Sequence, residues 1–130
     1  MSTYAYGIAG SGSDTFTAEQ LLAGDSPVVT QEATLASGEN LAIHTIVGRD
    51  STTGKLEVWD PAANDGTEVP VGILAYAVDA SLADKACVIY VAGTFNFAQL
   101  VVPNGETLAT VQAAFDRTPI TIRELTYSVG

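Results

Sequence analysis

The chain has 130 residues, enough for one domain that can bury roughly two-thirds of its unfolded surface without covalent staples. Fifteen acidic residues against five basic ones give a formal net charge of −10, a balance that repels phosphate backbones and anionic lipid and argues against direct nucleic-acid or membrane partners. A lone cysteine excludes an internal disulfide. With no charged-then-apolar leader at Met1 and no apolar run of ~18 residues, the expectation is a protein made and kept in a cytoplasm.

From Met1 to Asp14 the sequence is Tyr, Ala, Gly and Ser around a Gly10-Ser11-Gly12-Ser13 tract. It is too poor in large side chains to offset its ordering entropy, so it reads as an arm that is mobile when free. Phe16 to Gly24 then carries a short-helix signature near residues 17–23, with Thr17 as N-cap, Gln20 as its capping-box partner, Phe16 and Leu21 as hydrophobic staple and Gly24 as C-cap. Two turns are marginal alone, so Phe16, Leu21 and Leu22 need a surface, either their own domain or another protein. Pro27, Val28, Val29 and Thr30 form an extended apolar piece able to pair with a sheet edge, again its own or a partner's. The division expected is a capsule of two parts, an arm over 1–30 and a β-rich body over 31–130.

Thr34 to Gly48 alternates loosely after a turn at Ser37-Gly38 and reads as a strand holding His44. Past a turn at Ser51–Gly54, Lys55 to Asp60 alternates cleanly, with Leu56 and Val58 inward and Trp59 on the polar side, packed at a strand end or held for a partner. Pro61 to Gly66 is a loop. Val69 to Asp79 is the most hydrophobic run and reads as a strand apolar on both faces, Val71, Ile73, Ala75 and Ala77 on one and Leu74, Tyr76 and Val78 on the other. Such a strand must be covered twice, in a core or at a subunit seam. A second run, Cys87 to Phe95, follows the connector Ala80–Lys85, and Gly93 marks a bulge or a close backbone approach. Beyond Pro103-Asn104-Gly105, Thr107 caps a helix whose stripe is Leu108, Val111, Ala114 and Phe115, ended by Pro119, and Ile120–Arg123 closes the fold as a strand. The class is mostly β, a β-rich α+β domain with one or two short helices.

Motifs for chemistry are missing. One histidine and one cysteine have no cluster around them, and Cys87 reads as a small buried hydrophobe. The loop ending in Asp65-Gly66 fails as a calcium loop, because taking Gly66 as the sixth position puts Pro61, Ala63 and Gly72 where ligand oxygens are required. Neither a phosphate-binding loop nor a nucleophile elbow is present, and the paired carboxylates are those any acidic chain offers.

The segments Gly54-Lys55-Leu56-Glu57-Val58-Trp59-Asp60, Asp65-Gly66, Pro70-Val71-Gly72-Ile73-Leu74-Ala75 and Gly93-Thr94-Phe95 resemble, in order and spacing, the head decoration proteins of lambda-like tailed bacteriophages. The likeness covers roughly Thr53 to Ile122, and Leu21–Asp25 extends it weakly into the arm. The resemblance implies a compact, barrel-like, non-enzymatic cement protein with neither cofactor nor metal. It implies a homotrimer at local three-fold positions on the outside of the expanded head, bound to the major capsid protein after synthesis in the bacterial cytoplasm, and resisting the pressure of packaged DNA. The capsid-binding candidates are Phe16, Leu21, Leu22, Pro27, Val28 and Val29. Trp59, Pro70, Gly72, Ile73, Leu74, Gly93 and Phe95 are candidates for core or subunit interface. Two rivals remain at this point: a virion-associated carbohydrate- or host-binding module using Tyr4, Tyr6, Trp59 and Tyr76 as aromatic platforms, and a small carboxylate hydrolase.

Overall fold

The computed structural model describes residues 27–124, and the expected arm and its helix lie outside them apart from Pro27 to Thr30. Val29 opens strand β1 (Val29–Leu35), which pairs antiparallel with the body's own long strand β7 (Lys85–Asn96) from Val29↔Ala92 to Leu35↔Lys85. The extended piece at 27–30 therefore finds its sheet edge within the same chain, at Val29 and Thr30. The expected single strand over Thr34–Gly48 is divided: β1 ends at Leu35, Ser37-Gly38 turns, β2 (Glu39–Leu41) follows, and β3 (Ile46–Arg49) begins after a second turn. His44 lies in that turn at φ 69°, not in a strand. Its backbone N–H donates to the Leu74 carbonyl at 2.9 Å, its carbonyl accepts from Val101 N–H at 2.9 Å, and Nδ1 lies 3.1 Å from the Gln99 carbonyl oxygen. Three ties hold a conformation that a side chain disfavours.

β4 (Leu56–Val58) is shorter than its alternation suggests, and its faces are reversed at the end: Val58 is exposed and Trp59 is buried. Once the strand stops at Val58, the chain need not alternate. Trp59 N–H bonds to the Ile46 carbonyl and indole Nε1–H to the Glu68 carbonyl at 2.9 Å, so the ring turns inward with its one donor satisfied. β5 (Pro70–Leu74) ends five residues before the apolar run does. The chain bends at Ala75–Ala77, leaving Tyr76 exposed, and resumes as β6 (Val78–Ala80) paired with β2.

Strand order β1-β4-β3-β5-β7, with β7 returning to β1, closes a five-stranded barrel. Leu35, Leu56, Val47, Leu74, Cys87 and Ile89, at least one from each of these strands, form a single buried cluster that fills it, and Val78, Ala80 and Leu41 of the β2–β6 pair join that cluster. The opposite face of β3, β5 and β7 carries Ile46, Ile73 and Tyr90. That face is covered by helix α1 (Leu108–Ala114) and strand β8 (Ile120–Arg123), which bring Val111, Phe115, Ile120 and Ile122 to Phe95 and Trp59. The two-faced burial expected of the central runs therefore holds where it counts, at Ile73 and Leu74, both fully buried on opposite sides of one strand.

Helix α1 starts at the capping box of Thr107 and Thr110, as its sequence predicts, but ends at Ala114 with Phe115 as C-cap, before Pro119. β7 serves two sheets: its first part pairs with β1 and β5, and Gly93–Asn96 runs parallel to β8. Gly93 sits at the changeover with φ +136°, and a Cβ there would lie 3.0 Å from the Phe95 ring. Only glycine meets both conditions without strain.

Candidate functional site

Among the described residues, the buried thiol and the one close trio of carboxylates are explained by the fold. The Cys87 thiol is 1 % exposed inside the barrel, and burial pushes its pKa up, away from the reactive thiolate. Asp50, Glu57 and Asp65 bring carboxylate oxygens within 4.8 Å of one another. Asp50, however, accepts from the backbone N–H groups of Thr52 and Thr53 at 2.8 and 3.0 Å, and Asp65 accepts from the Thr67 N–H and hydroxyl at 3.0 and 2.6 Å. Those bonds hold Asp65 below the ordinary carboxylate range, the side-chain one foremost. Glu57 is pushed the other way, chiefly by desolvation and then by the charges of Glu39, Asp50 and Asp65. Two members of the trio are turn-formers and the third bears the cost of their company. Among the described residues, no helix is long and apolar enough to cross a membrane.

The motif residues singled out from sequence lie within the subunit. Trp59 is 3 % exposed, Ile73, Leu74 and Phe95 are fully buried, and Pro70, Gly72 and Gly93 are buried beside them. Gly72 lies so close to β7 that a Cβ would sit 2.7 Å from the Tyr90 carbonyl oxygen. Burial of Trp59 also removes it as an aromatic platform for a sugar. Phe16, Leu21 and Leu22 lie outside the described residues. Pro27, Val28 and Val29 are exposed where the chain enters the barrel, and Val28 reaches Gly93.

What the body offers is surface, over a fold in which Trp59, Pro70, Gly72, Ile73, Leu74, Gly93 and Phe95 are buried. Against that background the comparison with known proteins is direct: the family model for the bacteriophage lambda head decoration protein D matches residues 13–120. The chain belongs to this family. The decoration protein is therefore a non-enzymatic structural component of the phage head, located on the capsid surface, where it decorates and stabilises the shell. Its partner is the capsid. No curated protein matches the chain.

The match reaches back to residue 13, across the short-helix signature. One surface feature of the decoration protein escaped sequence reading. The connector between the two apolar runs displays Leu82 at 96 % exposure, and the outer face of β1 and β7 beside the exposed Tyr76 is open among the described residues. A single large apolar residue in an otherwise small and polar connector was the signal available.

Proposed function

We propose that the decoration protein acts as a trimeric cement that seats at local three-fold positions of the expanded head and resists the outward pressure of packaged DNA. Attachment runs through the leading segment, with Phe16, Leu21, Leu22, Pro27, Val28 and Val29 as its apolar contacts. The observation that carries this reading is where the chain enters the body. Pro27, Val28 and Val29 are exposed at the start of β1, and the described strands close and fill the barrel among themselves. The barrel's core is filled by its own strands, and the exposed Pro27, Val28 and Val29 lead into the segment assigned to the partner. Burial of such side chains, or strand addition to capsid protein, supplies the binding energy, and three arms per trimer multiply it by avidity. A charge of −10 suits the outside of the shell, away from DNA.

The experiment removes residues 1–26 and adds the remainder to expanded shells lacking the protein. The expected result is an unchanged melting transition for the body and lost attachment in sedimentation with the shells. Attachment at the full-length level would place the binding energy in the body and overturn the arm's role.

A further inference from the structure

The layer formed by α1 and β8 covers only the part of the sheet that carries Ile46, Ile73 and Tyr90. Further along the β1–β7 ladder, the outward side chains are Glu32 opposite Val88 and Thr34 opposite Ala86, and among the described residues no element lies over them. β5 bends away after Leu74, and Tyr76, 47 % exposed, becomes a wall of the resulting open groove of about 430 Å³. Its floor is small because threonine and alanine face each other there.

The next loop along the chain carries a knob. Leu82 is the most exposed large apolar side chain among the described residues, at 96 %. It is held out by a fixed frame: Asp79 accepts from the Ser81 N–H and hydroxyl at 3.0 and 2.6 Å, while Asp84 accepts from Ser37 N–H at 2.8 Å and pairs with Lys55 at 2.6 Å. These contacts hold the loop in the conformation that presents Leu82 to solvent.

We propose that knob and groove are the two halves of one contact between copies of this chain: Leu82 of one protomer seats against Tyr76, Thr34 and Ala86 of the next. This rests on the trimeric reading above and specifies its seam. Charge favours a second copy as occupant. The loop ends in Lys85 and the groove's rim carries Glu32, neither of them in an ion pair among the described residues, and their meeting offsets the repulsion between two chains of net charge −10. Repeated head to tail, a contact that joins knob to groove generates a closed ring when its rotation closes, as a trimer requires.

The test combines Leu82→Cys with Thr34→Cys in the full-length chain under mild oxidation. Covalent dimers and trimers are expected from the double variant and neither from the single ones, with buried Cys87 outside the exchange. Leu82→Ser should weaken association by roughly tenfold per seam in light scattering, with the melting of the diluted protein unchanged. Glu32→Lys and Lys85→Glu should each weaken it and together restore it. A Leu82→Ser protein that associates like wild type, with no covalent multimers from the cysteine pair, overturns the seam and leaves trimeric cement standing. A variant that still associates but no longer attaches to shells also overturns it, because the knob then seats on capsid. A wild-type chain that is monomeric at every concentration and ignores expanded shells overturns the cement reading itself.

Discussion

At Trp59 the period-two rule fails for a reason visible in one hydrogen bond. The strand ends at Val58, and the indole turns inward to donate to the Glu68 carbonyl while its ring joins the buried cluster that holds Phe95 and Phe115. Trp59→Ala removes both, and chemical denaturation should register a loss of about 3–5 kcal/mol. Gly72→Ala should also destabilise, since its Cβ would meet backbone that cannot step aside. Glu57 is shifted in the opposite direction from Asp65, Asp79 and Asp84. Its folded pKa is raised above 4.5, so it opposes folding once the pH exceeds that value and has no such effect below it. Glu57→Gln should therefore melt higher than wild type at pH 7, with the difference shrinking to nothing as the pH falls below 4.5. A thiol reagent should leave Cys87 untouched until the chain unfolds.

Elements end where local chemistry stops them. Helix α1 is seven residues long and depends on its first turn, where the Thr107 hydroxyl accepts from Thr110 N–H and the Thr110 hydroxyl accepts from Thr107 N–H. Thr107→Ala should cost about 1 kcal/mol in equilibrium unfolding, with no change in the barrel strands. The bend after β5 converts what reads as one strand into two, and it sends Val78 and Ala80 to the β2–β6 pair. The loop before β7 is tied by Asp84 to Lys55 and Ser37, which hold its carboxyl below the ordinary 3.8, the Lys55 contact first. Stability from Asp84 is thus fully present above pH 3.8 and disappears as the pH drops through the lowered folded value. Between neutral and strongly acid pH, Asp84→Asn should lose its disadvantage relative to wild type, as melting curves at stepped pH would register.

At the scale of the molecule, closure decides the design. A small sheet left open would expose edges inviting further strands, whereas the return of β7 to β1 removes most of them and encloses a packed interior. One long strand accomplishes this by serving two sheets, with Gly93 at the point of change. The barrel thereby closes among the described residues. On the shell, its benefit should appear as a higher disruption temperature for decorated heads than for bare ones by calorimetry, a difference that vanishes when residues 1–26 are removed.

By itself, the sequence determined the class, the closing strand, the capped helix, the turns at Ser37-Gly38 and Ser51–Gly54, the doubly buried centre at Ile73-Leu74 and, through spaced motif segments, the family. These are local choices, set by side-chain period, capping and backbone freedom within a few residues. Tertiary structure alone decided that Val58 faces out and Trp59 in, that His44 is held at positive φ, that the first apolar run breaks at Leu74, and that Leu82 projects from the loop before β7. Each of these depends on partners far away in the chain. Glu68, Gln99 and Val101, and the return of β7 onto β1, supply hydrogen bonds and contacts that outweigh local preference, and their arrival cannot be read from spacing.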